Sequence, residues 1–149
     1  MPEKRTLERA RKDRAEGKSP STQAGEFVKE EIEHIREGKH GARSAKQAIA
    51  IGLSKARRAG VRLPPPKKGK VSAQTREQAR RDAAKGRTGS RKKPSASRSR
   101  ASARKLRGES RSAASPTALS RQARASARKR TAADRSSAAK KAARTRRRG

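Results

Sequence analysis

The chain has 149 residues, with 45 Lys and Arg against 13 Asp and Glu, a formal net charge of +32, no Cys and Phe27 as its only Phe, Tyr or Trp. Alanine accounts for 28 of its apolar residues, which leaves fourteen larger side chains (one Phe, one Met, three Val, four Ile and five Leu) to exclude water from an interior. These figures exclude disulfides, thiolate metal sites and thiol nucleophiles, and they argue against an ordinary single-core domain of this length.

No apolar run approaches the roughly 18 residues of a membrane span, and the opening Met1-Pro2-Glu3-Lys4-Arg5-Thr6-Leu7 lacks the apolar stretch of a secretory signal. The expected address is the cytoplasm, or the nucleoid if the partner is DNA. A polycation of this size concentrates polyanions whatever its fold, so nucleic acid is the expected partner and a membrane is not.

Residues 2–16 read as a charged helix with Pro at its start, offset pairs such as Glu8/Lys12 and Arg9/Asp13, and Gly17 as its stop. Ser19-Pro20 then supplies an N-cap and first helical residue, followed by Ala24, Phe27, Val28, Ile32 and Ile35 on one face before Gly38. A second helix starts at Ser44, where Ser44-Ala45-Lys46-Gln47 has the form of a capping box, and runs to Ala59 with Ala45, Ala48, Ile49, Gly52, Leu53 and Ala56 inward. Two amphipathic helices joined by a short loop predict an antiparallel hairpin. Its apolar content is small, so it is expected to lean on the preceding helix, a ligand or a second copy.

Pro64-Pro65-Pro66 cannot continue a helix and reads as an extended spacer. It divides two materials: residues 1–63 carry 16 basic and 9 acidic side chains, and residues 64–149 carry 29 and 4, or +7 against +25. The stretch Thr6 to Gly17 recurs at Thr75 to Gly86, with seven of twelve positions identical at an offset of 69. This is either a reused helical element or a coincidence of biased composition. The rest is Arg/Ala/Ser-rich, with helix punctuation at Ser115-Pro116 and at Thr131-Ala132-Ala133-Asp134. Alanine and arginine favour helix while dense positive charge opposes it. The expected fold is therefore all-α, with a charged helix over residues 1–18, a hairpin domain over 19–63 (helices at about 20–37 and 45–59), and a basic tail over 64–149 that is largely disordered with transient helices.

The tail can displace condensed counterions from nucleic acid, a gain that grows with each phosphate neutralised. Its 19 Arg against 10 Lys favour bidentate phosphate grips. With no Tyr or Trp, and with Phe27 on the core face, the platforms that stack single-stranded bases are missing. Lys85-Gly86-Arg87-Thr88 lacks the proline that would complete a minor-groove hook. The expected cationic contacts in the tail are Lys67, Lys68, Lys70, Arg91, Lys92, Lys93, Arg128, Lys129, Arg130, Arg146, Arg147 and Arg148; those from the hairpin are Lys39, His40, Arg43, Lys46, Lys55, Arg57, Arg58 and Arg62.

Gly38-Lys39-His40-Gly41 resembles the loop with which KH domains clamp a nucleic-acid backbone, but the strands of that fold have no counterpart here. It reads as a C-cap glycine followed by a turn glycine, with Lys39, His40 and Arg43 gathered near a helix N-terminus. His34 and His40 belong to different elements and lack a third ligand at metal spacing, so neither a metal nor a cofactor is expected. No nucleophile, base or phosphate-cradling loop indicates an enzyme. On a helical wheel Glu26, Glu30, Glu33 and Glu37 form one stripe opposite the apolar face, which is expected to compete with nucleic acid for the tail or to hold the tail of another copy. Ile51 falls off the core face of the second helix and is the candidate for self-association.

Gln47-Ala48-Ile49-Ala50-Ile51-Gly52-Leu53-Ser54-Lys55-Ala56-Arg57 resembles a helix that marks a bacterial family of small basic proteins with an uncharacterised domain. The likeness extends over residues 19–66, and Gly52 stands where the motif has alanine. Members of that family are often labelled DNA-binding, and the tail is similar in composition to linker-histone and protamine-like segments. The reading is a non-enzymatic, histone-like protein that binds DNA largely without regard to sequence. The alternatives are an RNA- or ribosome-associated protein and an adaptor whose acidic stripe binds another protein.

Overall fold

Serine starts most of the helices. The computed structural model describes residues 1–89 and 93–148. Among these lie seven α-helices: α1 (Lys4–Ala15), α2 (Pro20–Arg36), α3 (Ala45–Arg58), α4 (Ala73–Thr88), α5 (Ala96–Arg107), α6 (Pro116–Arg128) and α7 (Ala132–Arg148), with a 3₁₀ turn at Ser112–Ala114. The hydroxyls of Ser19, Ser44, Ser72, Ser95 and Ser115 each accept the backbone N–H three residues on, at 3.1–3.4 Å, satisfying an otherwise orphaned donor. Thr131 and Asp134 do the same reciprocally at the start of α7, and the bonds from Thr131 hold the Asp134 carboxyl below its ordinary pKa. None of these helices is long and apolar enough to cross a membrane.

The α2 and α3 helices pack antiparallel, since Ile32 and Ile35 of α2 cluster with Ala48 near the start of α3, while Phe27 clusters with Ala56 near its end. They approach closely at Gly52, where a Cβ would lie 2.6 Å from Val28 Cα. Alanine makes such contact possible throughout: nine of the thirteen buried apolar residues are alanines, so backbones, rather than large side chains, fill the interior. That is why fourteen large apolar residues suffice.

The repeated element is a packing unit. The α1 helix lies on α2 and α4 lies on α3, and both turn the same pattern inward: Ala10 and Asp13 in α1, Ala79 and Asp82 in α4. Asp82 is 1% exposed and accepts from Ser54 Oγ at 2.6 Å and Gln78 Nε2 at 3.2 Å, with Arg58 Nε at 3.4 Å. Asp13 pairs with Lys18 at 2.8 Å.

The expectation of a largely disordered C-terminal half is overturned, because residues 73–89 and 93–148 are predominantly helical. Two physical features account for the difference. Alanine and arginine are strong helix formers, and each of these helices has its own capping signal. The small side chains also let this half dock: Ala113 and Ala114 are buried in the cluster of Ile32 and Ile35, with Leu119 packed against it. The N–H groups of Gly41 and Ala42 donate to Leu106 O and Ser110 O at 2.8 and 3.0 Å, and Arg36 Nε donates to Ala114 O at 3.0 Å. Nor is the triple proline a free spacer, since the Pro64 and Pro66 carbonyls accept from Arg57 and Arg76.

Candidate nucleic-acid interface

Acidic side chains are absorbed early in the chain. Half of the stripe expected to face solvent meets α1 and its N-terminal flank instead, while Glu33 and Glu37 stay exposed: Arg9 lies 3.6 Å from Glu26, and the Glu3 backbone N–H donates to Glu30 Oε2 at 3.2 Å. Glu30 is buried, Glu33 lies 4.0 Å from Lys29, and Glu37 pairs with Lys39 at 3.0 Å. Among the described residues no ion pair joins this stripe to the C-terminal half of the same chain. The α1 helix, with Thr6 and Ala10 buried, packs on α2 and covers part of the face that wheel geometry leaves open.

Several cations expected to meet phosphate also turn inward. Lys55 Nζ is 2.6 Å from Glu31 Oε2, and Glu31 is 1% exposed. Arg57 is 7% exposed and bonds the Leu63 and Pro64 carbonyls at 3.4 and 3.2 Å, its pKa lowered by burial. Arg58 is engaged with Ser54 and Asp82. His40, half-buried, faces Glu31 at 2.6 Å, while Lys39 stays exposed but pairs with Glu37 and Glu3, which raise its pKa. Bonds from His34, and then from Lys39, lower the Glu3 pKa. Ile51 is half-buried rather than on an open face.

Arg43, Lys46, Arg62, Lys67, Lys68, Lys70 and Lys93 are exposed, as are Arg128, Lys129 and Arg130 at and just past the end of α6 and Arg146, Arg147 and Arg148 at the end of α7. Arg91 and Lys92 lie outside the described residues. The geometry adds cations that were not singled out in the sequence. Arg100, Arg104 and Arg107 recur at i, i+4 and i+7 along α5, and Arg121, Arg124 and Arg128 at i, i+3 and i+7 along α6, so each set forms a stripe. Neither helix, nor α7, buries a single residue. Among the described residues no cation beyond Arg81 has an acidic partner within 4.0 Å.

One cleft joins the two halves. Lys39 and His40 of the loop after α2 face Arg107, Glu109 and Arg111 across a space of about 570 Å³. Gly41 is required there, because any Cβ would collide with the Glu109 carbonyl. The sequence shows the loop's glycines, but the arginines that complete the cleft are some 70 residues away and carry no local signal.

Residues 17–68 match a family described as a family of unknown function, DUF6496. That span covers α2, the glycine loop and α3, and ends among the residues that follow the triple proline. No curated protein and no solved structure matches the chain.

Proposed function

We propose that this protein is a non-enzymatic, largely sequence-independent DNA-binding protein of the histone-like, nucleoid-associated kind. The observation that carries the reading is the segregation of charge: the acids of the first 82 residues, Glu8 apart, lie against cations, while α5 and α6 present arginine stripes and α7 an arginine-rich end that have no acidic partner within 4.0 Å among the described residues. A packed amino-terminal half holds these helices as arms. An arginine stripe along a helix matches phosphates lining a groove, and without aromatic platforms or base-reading side chains in a defined pocket the attraction is to the backbone. Duplex DNA fits such rigid stripes better than splayed single strands, which need stacking surfaces.

The test is fluorescence anisotropy of the full-length protein on short duplexes of unrelated sequence over a salt series. Equal affinities are expected, with log K falling against log salt at a slope of about −9 if about ten phosphate contacts form. Replacing Arg100, Arg104 and Arg107 with Gln is expected to flatten the slope by about 3. Strong discrimination between duplexes, or preferential binding of matched structured RNA, overturns the assignment.

A further inference from the structure

The chain's only two histidines meet. His34 on α2 and His40 in the loop that follows have ring centroids 6.3 Å apart at an interplanar angle of 82°, and Glu31 lies one helical turn before His34. One ring nitrogen from each histidine and one carboxylate oxygen of Glu31 lie within 4.8 Å of one another. We propose that Glu31, His34 and His40 form a site for a borderline divalent transition-metal ion, zinc foremost.

The outer contacts of the three side chains support this. Glu3 Oε1 faces His34 Nε2 at 2.9 Å; a carboxylate only accepts, so Nε2 carries the proton and the neutral ring keeps its lone pair on Nδ1, which has no hydrogen-bond partner among the described residues. The Gly41 carbonyl faces His40 Nδ1 at 2.9 Å, which fixes the proton there and turns Nε2 toward Glu31 Oε1 at 2.6 Å. Lys55 holds the other oxygen, Glu31 Oε2. Each ligand is thus oriented through the atom it does not offer, the outer arrangement that metal-binding histidines and carboxylates share.

The charge balance points the same way. Glu30 and Glu31 are 4% and 1% exposed, yet among the described residues Lys55 is the one lysine or arginine within 4.0 Å of either. Glu30 Oε1 and Glu31 Oε2 have no hydrogen bond of acceptable geometry and meet the ammonium only as an ion pair, at 4.0 and 2.6 Å. Two buried carboxylates against one ammonium leave a negative charge to be met. A proton on His40 would meet it but would leave His34 Nδ1 idle, whereas a dication uses both rings. Zinc takes its ligands at about 2.0–2.2 Å, setting tetrahedral donors roughly 3.4 Å apart, a closure within reach of side-chain rotation. The fourth position falls to water. The bound ion would tie the loop carrying Lys39 to α2, independently of what the arginine arms bind.

The test is zinc titration of the metal-free, full-length protein by calorimetry, with imidazole ¹H–¹⁵N spectra recorded before and after. One ion per chain is expected, with shifts at His34 Nδ1 and His40 Nε2. His34→Gln and His40→Gln are each expected to weaken binding at least tenfold, and Glu3→Ala by about tenfold to a hundredfold through the lost outer contact. Because the ring spectra are read on the unaltered protein, the result does not depend on whether a variant folds. No uptake of zinc, or uptake that leaves both imidazole rings unperturbed, overturns the proposal.

Discussion

Two glycines within the paired helices have opposite requirements. Gly52 sits where α3 meets α2, and a Cβ there would be 2.6 Å from Val28 Cα and 2.9 Å from its nitrogen, both backbone atoms that cannot swing aside. Gly25 lies on the exposed side of α2 with nothing within 4 Å of such a Cβ. Alanine gains about 1 kcal/mol over glycine in a helix interior, while overpacking costs about 1–3 kcal/mol. Gly25→Ala is therefore expected to stabilise the fold by about 0.5–1 kcal/mol, and Gly52→Ala to destabilise it by about 1–2 kcal/mol net. Urea unfolding of the two variants separates these effects; stabilisation by Gly52→Ala would mean that the helices have room to part. From sequence alone Gly52 looks like a mild helix weakness, because a close backbone approach leaves no local pattern.

The duplicated helices α1 and α4 bury the same Ala-x-x-Asp pattern but hold their aspartates differently. Asp82 has three side-chain partners, from α3 and its own helix, and is 1% exposed, whereas Asp13 is 8% exposed and bound by Lys18, whose own side chain is 36% exposed and also reaches Glu16. Removing a buried carboxylate that receives several hydrogen bonds costs about 3 kcal/mol, and weakening a partly solvated pair about 1 kcal/mol or less. Asp82→Ala is thus expected to lower the unfolding free energy about 2 kcal/mol more than Asp13→Ala in matched denaturant titrations; equal losses would show that α4 is not docked through its carboxylate. At this scale the sequence is informative where caps and periodicity act locally. Ser19-Pro20 and Ser44 stand where α2 and α3 begin, and Ser115-Pro116 where α6 begins. It is uninformative where alanine substitutes for large apolar residues: Ala79, Ala113 and Ala114 look like filler in a low-complexity tail, yet they are the contacts that dock it. The same blindness hides the candidate metal cluster, since the spacing of His34 and His40 predicts separation and only the turn at Gly38 brings them together.

The whole molecule holds a net +25 on residues 64–149, and its last three helices bury no residue completely, with Leu119 packed against the core, so little apolar contact offsets their mutual repulsion. Salt therefore acts on the fold with two opposed signs. It weakens pairs such as Arg9–Glu26, but most of these are surface contacts worth little, and the Glu31–Lys55 pair is shielded by burial. It relieves repulsion among the arms over their full length, because moving from 0.01 M to 1 M shortens the screening length from about 30 Å to about 3 Å. Relief is expected to win: Tm and helical circular dichroism should both rise with sodium chloride. Replacing Arg144, Arg146, Arg147 and Arg148 with Gln should raise helicity at low salt and diminish the salt response, with no packing disturbed because α7 buries nothing. A Tm that falls with salt would place the dominant electrostatics in the ion pairs of the amino-terminal half. A rise makes repulsion among the arms the dominant electrostatic contribution to stability, one that phosphate, like salt, relieves.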